Sequence, residues 1–60
     1  MFILYELLKA KGISPFQLHK MTGIPKSTMY DIVSYRQLPT QRHLELISSA
    51  LGVTIDDLYK

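Results

Sequence analysis

Apolar side chains along this chain recur mostly three or four residues apart, the interval that lines one face of an α-helix, and short punctuating residues divide the pattern. Leu4, Leu7, Leu8 and Lys11 share such a spacing. Gly12 is placed to close this helix with Ile13 folding back behind it, so the pattern predicts a helix over residues 2–11. Ser14 followed by Pro15 has the chemistry of a helix start: Ser accepts a backbone hydrogen bond, and Pro lacks only a donor that would have no partner there. A second helix is predicted over residues 15–22. Gly23 then supplies a turn, Ile24 points inward, and Pro25 restarts a helix over residues 25–34 with Met29, Ile32 and Val33 on its apolar face. Residues 35–39 have no periodicity and end in Pro39, so they read as a loop, with Thr40 capping the next helix. Leu44, Ile47, Ser48 and Leu51 form one face of that helix, over residues 41–51, and Gly52 closes it. Thr54 and Asp57 have capping-box spacing with Asp in place of Glu, which predicts a short fifth helix over residues 55–59. The expectation is a single all-α domain over residues 1–60, a compact five-helix bundle.

Composition narrows the class without naming a function. A chain of 60 residues buries only about 60% of the surface its unfolded form exposes, so its core is small. With 47% hydrophobic and 20% charged residues it is globular rather than disordered. The absence of Cys removes disulfides and thiolate metal sites, leaving helix packing or a partner chain to hold the core, and makes a cytoplasmic location the expectation. Glu6 interrupts the apolar opening, no basic segment precedes it, and no apolar run approaches the roughly 20 residues that span a bilayer; neither a signal peptide nor a membrane anchor is expected. A net charge of +2 leans towards a polyanionic partner but decides little.

Enzyme chemistry finds no support. His19 and His43 lie in different predicted helices, no glycine-rich loop could cradle a phosphate, and Asp56 with Asp57 is explained by helix-start electrostatics. No metal or other cofactor is expected, because no ligands cluster. What remains is architectural. Two short helices joined by a tight Gly turn, among other helices in so small a chain, can present one helix to a DNA major groove about 12 Å wide while the other braces it.

The stretch from Ser14 to Ile32, with Leu18, Gly23-Ile24-Pro25 and Met29, resembles the helix-turn-helix of the Cro and phage-repressor (XRE) family. The later Pro39-Thr40, Leu44, Ile47, Ser48, Ala50-Leu51-Gly52-Val53 and Asp57-Leu58 are similar to that family's fourth and fifth helices. The resemblance implies a lambda-repressor-like bundle that binds double-stranded DNA at a pseudo-palindromic operator, as a homodimer, to repress or regulate transcription. Its base-reading positions fall on Lys26, Ser27 and Asp31, with Tyr30 adjacent. Lys donates to guanine, Ser bonds either way, and Asp accepts from cytosine N4. A Lys in a helix's first turn opposes the helix dipole, which favours a functional reason for Lys26. Phosphate contacts are expected from Gln17, Thr28, Ser34, Tyr35, Arg36 and Gln37, with Arg36 foremost.

Three departures from the family's pattern stand out, the first involving two positions. Where many members pair Arg with Glu between helices one and three, this chain has Leu8 and Val33; replacing both partners of a buried ion pair by aliphatics is often neutral or stabilising, so the two are expected to meet in the core. His19 stands where a small residue is usual, and is expected to be partly buried with its polar edge in water. Pro15 replaces a Gln that often contacts phosphate. Apolar Phe2, Ile3, Tyr5, Phe16, Leu38 and Leu46 occupy positions where polar residues are expected; Leu46 and Leu38, with Tyr35 near them, are candidate dimer contacts, while the first few can pad the core against Leu58 and Tyr59. The rival reading is a protein-binding module on the same scaffold, such as an antitoxin.

Overall fold

Each helix boundary is set by a local device. In a computed structural model describing residues 1–60, the helices are α1 (Leu4–Lys11), α2 (Pro15–Thr22), α3 (Lys26–Val33) and α4 (Gln41–Leu51). Two of them open with reciprocal capping boxes. Ser14 Oγ accepts the Gln17 N–H at 3.1 Å while Gln17 Oε1 accepts the Ser14 N–H at 2.8 Å. Thr40 Oγ1 accepts the His43 N–H at 3.2 Å, and His43 Nδ1 accepts the Thr40 N–H at 3.3 Å, a role open to that nitrogen only when the ring proton sits on Nε2. Both helices have the bounds that the sequence predicts.

Three helices end alike, and the third ending is unexpected. Gly12, at φ 70°, donates to Lys9 O while Ile13 donates to Leu8 O; Gly52, at φ 68°, donates to Ser49 O while Val53 donates to Ser48 O. This is the Schellman arrangement, which needs a left-handed residue. At the end of α3 the same bonds run from Tyr35 to Ile32 O at 3.1 Å and from Arg36 to Asp31 O at 2.9 Å, with Tyr35 itself at φ 65°. A non-glycine residue in that conformation costs about 1–2 kcal/mol. Distant contacts of the side chain offset the cost. The Tyr35 hydroxyl accepts the Tyr5 N–H and donates to Glu6 Oε2, both at 3.2 Å, and its ring meets Phe2 edge-on with centroids 5.9 Å apart. Helix α1 has no side-chain cap of its own, so Tyr35 supplies one from across the fold.

The fifth helix is corrected to a single 3₁₀ turn, Asp56–Leu58, so the molecule is an all-α fold of four helices. The box expected of Thr54 and Asp57 is present, with the Thr54 N–H on Asp57 Oδ2 at 3.0 Å and the Asp57 N–H on Thr54 Oγ1 at 3.2 Å. Helix then fails to propagate because the chain turns extended at Tyr59 and pairs antiparallel with Phe2, while the Ile3 N–H donates to Leu58 O at 2.9 Å. The same pairing delays the start of α1 to Leu4. Phe2 and Ile3 are half-buried, in keeping with the padding role read for them, and Phe2 stacks on Tyr59 at 5.2 Å.

The core comprises Leu4, Leu8, Leu18, Ile24, Met29, Ile32, Val33, Leu44, Ile47, Leu51 and Leu58, drawn from every helix, from the α2–α3 turn and from the final 3₁₀ turn. Leu8 and Val33 are both buried in it. Helix α2 packs against α3 and α4, which leaves the opposite side of α3 facing solvent.

Candidate nucleic-acid interface

The α2–α3 turn is latched from both sides. Thr22 Oγ1 donates to Leu18 O at 2.8 Å and accepts the Ile24 N–H at 3.3 Å, and the Gly23 N–H closes on His19 O at 3.0 Å. His19 is half-buried, with Nδ1 2.8 Å from Ile24 O. A carbonyl oxygen can only accept, so this nitrogen carries the proton. The residue that departs from the family's small side chain thus ties α2 to the segment leading into α3. Ile24, held by these bonds, is buried in the core.

Helix α3 starts after Pro25 with no side-chain cap and no acidic residue in its first turn. Its Met29, Ile32 and Val33 face inward, and Lys26, Ser27 and Tyr30 are exposed on the other side. Thr28 and Asp31 are half-buried. Asp31 does not stand alone: Arg36 reaches back so that Nη2 and Nε lie 3.1 Å and 3.3 Å from Oδ1. The Schellman turn makes this possible, since the backbone N–H groups of Arg36 and Gln37 both bond to the Asp31 carbonyl. One of the expected base readers and the foremost expected phosphate ligand therefore occupy each other.

The other expected phosphate ligands are distributed unevenly. Gln17 is exposed with its Oε1 committed to the cap of α2, which leaves its amide N–H groups available as donors. Ser34 is exposed and its hydroxyl donates to Tyr30 O. Gln37 is exposed. The hydroxyl of Tyr35 is engaged with α1, and burial is the main cause that pushes it above the ordinary phenol range, opposed by the Tyr5 N–H and reinforced by the Glu6 carboxylate.

Of the two candidate dimer contacts, Leu46 is half-buried against the core, whereas Leu38 is 90% exposed. Leu38 borders a groove of about 290 Å³ shared with Met1, Phe2, Tyr35, Pro39 and Tyr59.

Sequence reasoning missed an aromatic-cation cluster beside the turn. Phe16, in the first turn of α2, is 40% exposed; Lys20 Nζ lies 4.8 Å and Lys26 Nζ 5.6 Å from its ring centroid, and the His19 ring is 5.6 Å away. The spacing of Phe16 and Lys20 on one helix could have signalled the first contact, but nothing in the sequence signals that Lys26 reaches across the turn.

The model of the Cro/C1-type HTH DNA-binding domain matches residues 4–60. The chain belongs to the Cro/C1-type helix-turn-helix family. No curated protein and no solved structure matches it. The match takes in all four helices, so the Cro/C1-type assignment covers the braced α2–α3 pair together with the helices that support it.

Proposed function

We propose that this chain is a sequence-specific duplex DNA-binding protein that represses or regulates transcription by inserting α3 into the major groove, a binding protein rather than an enzyme and one that works in the cytoplasm. The observation that carries the reading is the start of α3: an uncapped helix end with exposed Lys26, Ser27 and Tyr30, packed against α2, in a Cro/C1-type chain. Lys26, Ser27 and Asp31, with Tyr30 adjacent, are assigned to base edges. Gln17, Thr28, Ser34, Tyr35, Arg36 and Gln37 are assigned to phosphates, Tyr35 by exchanging its hydroxyl's bond to Glu6 for a phosphate oxygen, since its backbone N–H is held by Ile32 O.

A monomer with so few cationic contacts would bind at about 10⁻⁴ to 10⁻⁶ M at physiological salt, so useful occupancy calls for two copies on a pseudo-palindrome with half-sites about 34–36 Å apart. The exposed Leu38 and the groove beside it support a protein contact there, and a homodimer is the occupant we assign.

The test is selection from a randomised duplex pool at several salt concentrations, repeated with Lys26→Ala and Arg36→Ala. A recovered pseudo-palindrome whose preference relaxes with Lys26→Ala, and whose binding weakens uniformly with Arg36→Ala, is expected. No enrichment at low salt by the folded protein overturns the reading and favours a protein-binding module, such as an antitoxin, using the Leu38 groove.

A further inference from the structure

Phe16 is apolar, 40% exposed at the first turn of α2, and is not one of the residues of the buried core. Two cations share its ring. The Lys20 and Lys26 ammonium groups lie within 6 Å of its centroid, the distance at which the negative face of an aromatic ring attracts a cation. His19, whose ring lies tilted against Phe16, is itself fixed to Ile24 O. The ring is therefore held by one side of the turn and holds the first residue of α3 on the other.

From this geometry we propose that Phe16 is a positioning residue for DNA readout: its ring fixes the Lys26 ammonium at the mouth of α3 and so sets base preference at the position Lys26 reads. The inference rests on the reading of Lys26 as a base contact. A lysine side chain is flexible and reaches several acceptors, so on a bare helix end it would discriminate poorly among neighbouring base edges. Anchoring the ammonium against a ring removes part of that freedom before DNA arrives, and the ordering loss on binding falls accordingly. The anchor also relieves the conflict between a lysine and the positive end of the α3 dipole. Lys20 shares the same ring and keeps a second positive charge alongside, where it adds to attraction for phosphate without directional demand.

Two measurements separate this proposal from the assignment beneath it. The first needs no DNA: in the NMR spectrum of the free protein the ε-methylene protons of Lys26 and Lys20 should lie upfield of those of Lys11, an effect of the ring that Phe16→Leu removes and Phe16→Tyr retains. The second is the ratio of affinities for the selected duplex and for random duplex. Phe16→Leu should lower that ratio about two- to five-fold, the range of an exposed cation–π contact, and Phe16→Tyr should restore it. In a Lys26→Met background Phe16→Leu should have no further effect. An equal loss in that background means that the ring touches DNA directly and overturns the proposal, as does an unchanged ratio or an unshifted Lys26 signal in the wild-type protein. Failure of the wild-type protein to select any sequence, with the Lys26 shift intact, overturns the DNA assignment and leaves the ring-to-lysine contact standing on its own measurement.

Discussion

Tyr35 shows how much a single side chain can settle in so small a protein. Its backbone adopts a conformation that favours glycine, and its hydroxyl completes the start of a helix 30 residues earlier in the chain. Tyr35→Phe keeps the ring on Phe2 and removes only that hydroxyl, so it should cost roughly 0.5–1 kcal/mol in urea unfolding, the scale of one net hydrogen bond. The loss has a pH signature. Because the folded-state value of Tyr35 is raised, chiefly by burial, its contribution is fully present below the unfolded tyrosine value near 10 and is lost as pH rises through the higher folded value. The stability gap between wild type and Tyr35→Phe should therefore be constant from neutral pH to about 10 and close above it. Asp57 has the opposite sign: the Thr54 amide, then its hydroxyl, holds the carboxylate below its usual range, so its contribution is present above that range and lost in acid. The apolar and capping roles of individual residues were largely legible in sequence, as at Ser14, Thr40 and Thr54, because a cap acts within a few residues of itself. The left-handed Tyr35 was not legible, because its compensation lies in α1.

At the scale of elements, α2 and α4, which open with capping boxes, have the bounds that signal predicts; α3 is one residue shorter at each end than its pattern predicts, and the larger deviations lie where the chain's first and last residues meet. Helix α4 offers a simple improvement. Its box uses an imidazole acceptor at 3.3 Å, whereas a carboxylate at the same position would bond the Thr40 N–H and also face the positive end of the helix. His43→Glu should raise stability by about 0.3–1 kcal/mol at neutral pH, read as a higher urea midpoint with an unchanged slope. On the side proposed to face DNA, the turn after α3 brings Arg36 onto Asp31. Asp31→Asn releases that guanidinium and removes a charge that repels phosphate. Affinity for random duplex should rise roughly two- to five-fold, the equivalent of freeing one exposed ion pair, while Arg36→Ala should flatten the salt dependence by about one phosphate contact. If random-duplex binding is unmoved by Asp31→Asn, the pair does not restrain Arg36.

The whole molecule rests on a core of 11 apolar side chains, in which Leu8 and Val33 stand where many relatives are expected to carry an ion pair. Val33 is 5% exposed, so Val33→Glu alone strands a charge and should cost on the order of 3–5 kcal/mol, enough to unfold a domain of this size at ordinary temperature. Adding Leu8→Arg should restore cooperative unfolding in thermal melts without exceeding the wild-type midpoint, because a buried pair must recover its desolvation while the aliphatic pair has none to recover. Recovery no greater than the sum of the single substitutions would mean that the two positions do not face each other.

Periodicity, caps and glycines in the sequence by themselves determined the four helices and the core, and the resemblance carried by residues 14–32 and 39–58 pointed to the family, because these signals act over intervals of a few residues that the backbone geometry of a helix makes regular. Contacts between residues far apart in sequence were decided only by the tertiary structure. These are the pairing of Phe2 with Tyr59 that reduced the fifth helix to one turn, the Tyr35 hydroxyl on α1, and Lys26 over Phe16 across the turn. Each depends on where two separate elements are packed, a distance no local pattern encodes. The Asp31–Arg36 pair belongs with them, close in sequence yet formed only because Tyr35, anchored on α1, turns the chain back at the end of α3.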